Sequence, residues 1–298
     1  MADGQRVIGV DLGGTKILAG RVDREGNAEG HRETPTPLDS QAALLDGLDG
    51  AVEALLDDSV AALGFGIPSQ IDQRTGRVQG SVNIPLGELD FRTRMSERFG
   101  LPVEIDNDGN AAAFAESVAG AARGEDDMLM FTLGTGCGGG AVLGGKLYRG
   151  WAEFGHIVVE FDGLPCQGFC HGRGHLEPYV TGVAATRIAQ ELFGPAADSH
   201  RLVRLANEGD EQARQALAGI GRYLGAGIAS MCNVFGVDVV VVGGGFGVAG
   251  FEWLVPAALE TAKRDALDAA GETLRIVPAE LGTMAGLIGA GLLAFEAA

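Results

Sequence analysis

Short β-branched runs, glycine turns and amphipathic stretches follow one another along this chain. Val7-Ile8-Gly9-Val10-Asp11 reads as a strand and Ile17 to Val22 as a second, joined by Leu12-Gly13-Gly14-Thr15-Lys16 as a tight hairpin-like turn. Leu44, Leu45, Leu48, Val52, Leu55 and Leu56 recur at helical spacing and predict an amphipathic helix. Ala61 to Ile67 returns as a strand, Val103-Glu104-Ile105 is a short one, and Asn110 to Ala122 reads as an Ala-rich helix. The next section opens the same way, with a strand at Met128 to Leu133, the turn Gly134-Thr135-Gly136-Cys137-Gly138-Gly139 and a strand at Gly140 to Leu147. Strand, glycine turn and strand thus occur twice, which predicts an internal duplication with a cleft between two similar halves. Helices from Pro178 to about Phe235 come next. A buried strand at Val237 to Val242 then runs into Gly243-Gly244-Gly245. A helix around Trp253 to Leu267, a strand at Leu274 to Val277 and a last helix from Met284 complete an α/β alternation.

With 298 residues the chain can bury a sizeable core, and two domains are expected. The 49 glycines have no period and gather in short loops, as they do where backbone lies close to a ligand. A net charge of −18 argues against a nucleic-acid partner, whose phosphates need a basic face. The longest apolar stretch, Met284 to Phe295, is too short to span a bilayer. No signal-peptide pattern precedes the first strand, so a cytoplasmic protein in a reducing compartment is expected.

The two glycine turns expose backbone N–H groups with no side chains in the way, an arrangement suited to phosphates. The candidates are Asp11, Gly13, Gly14, Thr15 and Lys16 in the first turn and Gly134, Thr135 and Gly136 in the second. Thr15 and Lys16 can meet phosphate oxygens directly, and Asp11 favours a metal-bound phosphate. No Gly-Lys is followed by Ser or Thr, so there is no P-loop. The spacing Gly-x-Gly-x-x-Gly occurs at Gly134 and at Gly245. The first match is followed by a strand, and too little chain follows the second for a dinucleotide domain. An oxidoreductase is therefore ranked last. Gly244 and Gly245, at a helix start, can instead hold the nucleoside and inner phosphates of ATP.

His156, Cys166, Cys170 and His175 fall close together among Gly, Pro and Asp, and two Cys with two His suit a tetrahedral, structural Zn²⁺. His171 adjoins Cys170 and competes for the fourth place. A disulfide or free thiols are the plainer alternative. Glu153 and Glu177 flank the cluster, so a loop folded on one ion would bring both carboxylates into a small volume. Asp106-Asn107-Asp108-Gly109-Asn110 sits between a strand end and a helix start. One residue there suffices as an N-cap, and a second carboxylate is well placed to accept a proton from an attacking hydroxyl.

Taken in order, these motifs resemble the ROK family of bacterial sugar kinases and sugar-responsive repressors, from Val7 to Leu293. The resemblance rests on Asp11 to Lys16, Asp106 to Asn110, Leu133 to Gly140, Glu153-x-Gly155-His156, the Cys/His cluster, Val242 to Gly245 and Ala285 to Ala290. It implies an α/β, actin/hexokinase-like (ribonuclease H-like) duplicated fold with two domains around a cleft. The small domain would be 1–109, with helix 284–298 packing back on it, and the large one 110–283. It implies ATP-dependent phosphorylation of a hexose, glucose first, at the 6-hydroxyl, with Mg²⁺ and a structural Zn²⁺. Asp108 would be the general base, and Asn83, Asn107, Asp108, Glu153, His156 and Glu177 would bind the sugar. A dimer or tetramer is implied as well. Another hexose, polyphosphate as donor and a non-catalytic sugar-binding regulator are the alternatives within the family. The chain departs from the family pattern at Asp106 (usually Glu) and Ser69 (usually Gly). It also has Cys-x3-Cys for Cys-x-Cys, His175 for a third Cys, and a shortened loop from Gly150 to Glu153.

Overall fold

The computed structural model describes residues 5–81, 84–168 and 170–297. The chain divides into two compact units. The first takes Met1–Gly124, Lys146–Trp151 and Leu281–Ala298, and the second Glu125–Gly145 and Ala152–Glu280.

The first unit holds a five-stranded sheet in the order β3-β2-β1-β4-β8. β1 (Arg6–Leu12) and β2 (Lys16–Val22) form an antiparallel hairpin, and β3 (Ala28–Pro35) pairs with β2 at the edge. β4 (Val60–Ile67) and β8 (Val103–Asn107) lie parallel to β1 on its other side, with nearly every β4 residue buried. One face is covered by α1 (Gln41–Glu53), whose Leu44, Leu48 and Val52 share a buried cluster with Ile8, Val10 and Phe65. A small sheet of β5 (Gln70–Asp72), β6 (Arg77–Gly80) and β7 (Leu89–Asp90) leads into α2 (Phe91–Phe99). Among the sequence expectations, Asn83 lies outside the described residues.

α3 (Asp108–Ala119) starts where β8 ends, and Asn107 is its N-cap, accepting the Gly109 N–H at 2.9 Å. The helix therefore begins before the expected Asn110. It stays with the first unit, whose first segment runs to Gly124. The last helix, α11 (Ala285–Ala297), packs on α3, β1 and β4 of the same unit. Its approach is close enough that Gly9 and Gly64 must lack side chains: a Cβ on Gly9 would overlap the Leu287 carbonyl oxygen, and one on Gly64 that of Ala290.

The second unit repeats the pattern. β9 (Met128–Leu133) and β10 (Cys137–Leu143) form an antiparallel hairpin. A short strand, β11 (Lys146–Leu147), follows in the chain and belongs with the first unit. β12 (Val239–Gly243) and β13 (Arg275–Pro278) run parallel to β9, giving the order β10-β9-β12-β13. α4 (Glu177–Val180), α5 (Gly182–Phe193), α6 (Ser199–Asn207) and the long α7 (Glu211–Phe235) precede β12. α8 (Gly245–Ala249), α9 (Phe251–Asp265) and α10 (Asp268–Thr273) follow it. α7 and α9 pack at glycine contacts, with Gly221 and Gly225 against the backbone of Leu254 and Ala258. Among the described residues no helix is long and apolar enough to cross a membrane.

Candidate active site

Asp11 is the last residue but one of β1, and the turn after the strand is closed by Gly13 N–H donating to the Lys16 carbonyl at 2.9 Å. Thr36 Oγ1 donates to the Gly13 carbonyl at 2.7 Å and fixes the turn from just beyond the end of β3. The Asp11 carboxylate lies against the first turn of α11, where a Cβ on Gly286 would come within 2.5 Å of its Cγ. A helix N-terminus favours negative charge there. Burial and the neighbouring Asp108 nevertheless push Asp11 up to about 7, with Lys16 pulling the other way. Lys16 Nζ itself rests 2.7 Å from Glu33 Oε2 in a largely exposed pair that costs little to break.

The raised Asp11 gives a stability prediction with a definite sign. The folded state holds this proton more tightly than the unfolded chain, whose carboxyl titrates near 3.8. Its contribution is full below 3.8 and is lost as pH rises to about 7. Asp11→Asn is therefore expected to raise Tm by several degrees at pH 8 and by almost nothing at pH 4, while impairing turnover. Thermal melts at the two pH values check this, and an equal shift at both would refute it.

Asp108 opens α3, and burial raises its pKa above the ordinary carboxylate range. Its Oδ1 accepts the Gly109 N–H at 2.9 Å, so the carboxylate is held at the helix start. Gly66 of β4 faces the Asp108 Cα and Ala111, which lets α3 begin close to the sheet. Asp106 is fully buried. Its Oδ1 accepts from Asn107 N–H (2.7 Å), Gln73 Nε2 (2.8 Å) and Asn110 Nδ2 (2.9 Å). The four polar residues of this segment thus divide into a cap, a buried anchor pair and one available carboxylate.

In the second unit, the second glycine turn is closed by Gly134 N–H on the Gly136 carbonyl at 2.9 Å. Gly182 N–H, at the start of α5, donates to the Gly134 carbonyl at 2.8 Å. This turn forms one wall of a cavity of about 380 Å³. Gly134, Thr135 and Gly245 line it together with Gly182, Val183 and Thr186 of α5, Ser199, His200 and Val203 of α6, and Phe246 and Ala249 of α8. Sequence reasoning misses the α5, α6 and α8 side chains, because nothing in their own segments marks them. Gly244 has φ +77°, and a Cβ there would strike the Leu133 backbone, so this turn requires glycine.

Glu177 opens α4, and its Oε2 accepts the Cys137 N–H at 2.9 Å, tying it to the second glycine turn. Glu153 precedes the short 3₁₀ turn Phe154–His156, with its Oε2 3.7 Å from His156 Nδ1. His156, Cys166, Cys170 and His175 each offer a ligand atom, and these atoms lie within 4.8 Å of one another. His175, not His171, is in that group. The backbone builds the cluster by narrow pairing. Cys166 N–H donates to Gly172 O at 2.9 Å, Gly174 N–H to Leu164 O at 2.8 Å, and Leu176 N–H to Ile157 O at 2.9 Å. Gly172 N–H also points at Cys170 Sγ, at 3.4 Å. Burial and the facing Cys170 thiol push Cys166 up to about 11, a state that a bound cation would reverse. Two thiols and two imidazoles at this spacing fit zinc. Gln167, from the same loop, donates to Thr181 Oγ1 at 2.9 Å, the residue that caps α5.

The ROK family model matches residues 7–297. The chain is 34% identical to the glucokinase of Streptomyces coelicolor over 97% of both sequences. Its structure is similar to that of a ROK hexokinase from Thermus thermophilus, with TM-score 0.85 and 35% identity over 98% of both chains. It is likewise similar to a ROK family glucokinase from Streptomyces griseus solved with glucose and AMPPNP, at TM-score 0.80 and 34% identity over 98% of this chain and 99% of that one. The architecture is accordingly the actin/hexokinase-like one that the motifs implied. By whole-length sequence match and by fold, the chain belongs to the ROK family.

Proposed function

We propose that this protein transfers the γ-phosphoryl of Mg-ATP to the 6-hydroxyl of glucose. The observation that carries the reading is a held carboxylate, Asp108, in a chain that also keeps both glycine turns and a cavity beside the second. Its relatives named glucokinase, one of them solved with glucose and AMPPNP, support the choice of sugar and donor.

The roles follow from chemistry. Asp108 takes the proton of the attacking hydroxyl, and a carboxyl raised by burial is a stronger base than a free one. Asn107, Glu153, His156 and Glu177 hold sugar hydroxyls, with Asn83 as a further candidate. Such polar groups suit a polyol and would be left unpaired by an apolar substrate. The cavity formed by Thr135, Val183, His200 and Phe246 receives the nucleoside, and the N–H groups of the glycine turns receive phosphates. Thr15 and Lys16 meet the charge that spreads over the moving phosphoryl, Lys16 leaving its exposed partner Glu33 to do so. Asp11 is the residue that would hold Mg²⁺, since a cation relieves its crowding against Asp108. His156, Cys166, Cys170 and His175 would hold a structural Zn²⁺ that sets the rotamers of Glu153 and Glu177. A cytoplasmic homo-oligomer, dimer or tetramer, completes the reading.

ADP release at fixed Mg-ATP against glucose, mannose, fructose, allose and N-acetylglucosamine tests the proposal. Glucose is expected to give the highest kcat/KM, with slow hydrolysis when no sugar is present. A sugar-free rate that no hexose exceeds would remove the kinase reading. A much higher kcat/KM for another hexose would replace glucose and leave the chemistry standing. A parallel arm with polyphosphate identifies the donor.

A further inference from the structure

The carboxylate next but one before Asp108 is an unusual anchor. Asp106 has no exposed surface, and its Oδ1 carries three hydrogen bonds, including the Asn107 N–H that leads into Asp108. Among the described residues its Oδ2 and the Oδ1 of Asn110 have no hydrogen-bond partner. A buried carboxylate in that state is costly unless a cation compensates it. Burial pushes Asp106 up from the ordinary carboxylate value, and the cation that pulls it back toward the ionised form is Arg149. Its Nε lies 3.7 Å from Asp106 Oδ2, its Nη1 3.4 Å from Glu104 Oε2 and its Nη2 3.0 Å from Glu296 Oε2. That first distance is within ion-pair reach and too long for a hydrogen bond.

The neighbours of Arg149 fix where it can go. Glu104 and Asp106 are on β8, Glu296 is near the end of α11, and Arg92 of α2 holds Glu104 from the other side at 2.6 Å. The guanidinium is thus seated among three carboxylates, two of them on the strand that delivers Asp108. A partly buried ion cluster is a poor way to gain stability, because its buried members lose solvation and its exposed ones are screened. Its use here is geometric. An ionised Asp106 is a stronger acceptor for the Asn107 N–H than a neutral one, since charge-assisted bonds are roughly twice as strong. That bond sets the Asp106–Asn107 peptide, the last one of β8, and so the direction in which the cap residue Asn107 hands the chain on to Asp108.

We propose that Arg149 is a positioning residue for phosphoryl transfer: it keeps the buried Asp106 carboxylate ionised, so that Asp106 clamps the Asn107 N–H and holds Asp108 in its reacting orientation. The proposal rests on the reading of Asp108 as the base.

The test is a double-mutant cycle between Arg149→Met and Asp106→Asn, with Arg149→Lys and Asp108→Asn alongside. Arg149→Met removes the charge and keeps the stem. Asp106→Asn keeps an Oδ1 acceptor and removes the charge that Arg149 serves. Each is expected to lower kcat about tenfold, a loss of about 1.4 kcal/mol in transition-state stabilisation, with KM for Mg-ATP unchanged. The double variant is expected to lose no more than either single one, and Arg149→Lys to recover part of the rate. Circular dichroism and the fraction of folded protein put every rate on a folded-enzyme basis. Full kcat per folded molecule in Arg149→Met, or a double variant whose loss is the product of the two, overturns the proposal. So does a loss that falls wholly on KM for Mg-ATP. If Asp108→Asn is inactive and Arg149→Met is normal, only this inference fails. If Asp108→Asn turns over like wild type, the reading of the base fails first.

Discussion

Replacing Asp108 by Asn is expected to lower kcat for glucose phosphorylation by at least about a hundredfold, the usual scale for loss of a positioned base. The amide keeps the shape and can still accept the Gly109 N–H that Oδ1 accepts at 2.9 Å, so α3 should keep its start. It cannot take the proton. KM for Mg-ATP should hardly change, because the cavity proposed for the nucleoside is built from α5, α6, α8 and the second glycine turn, none of which includes Asp108. Stability should rise slightly at neutral pH. Burial raises the Asp108 pKa, so its proton is held more tightly in the folded state, and the stability this brings is lost as pH climbs through the folded value. The neutral amide avoids that loss. Near-wild-type turnover in Asp108→Asn would mean that this carboxylate serves only the helix start.

Loss of the metal is the second large effect. Cys166→Ser should abolish a stoichiometry of one zinc per chain and lower Tm by about 5 °C or more, a shift of roughly 2 kcal/mol for a unit of this size. The effect should reach substrate binding because the loop is wired to it. Glu177 follows the cluster and holds the Cys137 N–H of the second glycine turn. Gln167, next to Cys166, holds the Thr181 hydroxyl that caps α5. With the loop unpinned, both contacts loosen, and KM for glucose should rise. His175→Ala should behave like Cys166→Ser, and His171→Ala should keep its metal, because His175 and not His171 lies with the other three donors. Elemental analysis joined to activity decides it: metal-free protein with full activity and unchanged Tm would refute the staple.

Much of this is legible in the chain itself. The two hairpins, β1–β2 and β9–β10, announce themselves because apolar runs flank glycine turns, and local chemistry of that kind is sufficient to set them. The Cys/His cluster is legible for a similar reason, since four candidate ligands in one glycine-rich loop have few places to go. β3 is not legible. Its residues, Ala28–Pro35, are almost all exposed, and an edge strand paired on one side has no apolar face to show. Pattern places the start of α3 too late because Asn107 and Asp108 are polar, and only the cap geometry shows that the helix begins at them.

What the sequence determined by itself was most of the local elements, the repetition of strand, turn and strand, and the residue types fit for proton transfer, phosphate and zinc. Tertiary structure alone decided which distant residues meet. The sequence announced a last helix from Met284, but the bed of α11 is defined by Gly9 and Gly64, at sequence distances that no periodicity encodes. The cavity beside the second glycine turn draws three residues from each of three helices, all of them ordinary in their own segments. Arg149 reads as one more charged residue until folding brings it beside Asp106, whose solvation has been stripped away. Local pattern is set by forces between neighbours in the chain. Burial, desolvation and charge pairing act between neighbours in space, and only the fold makes them neighbours.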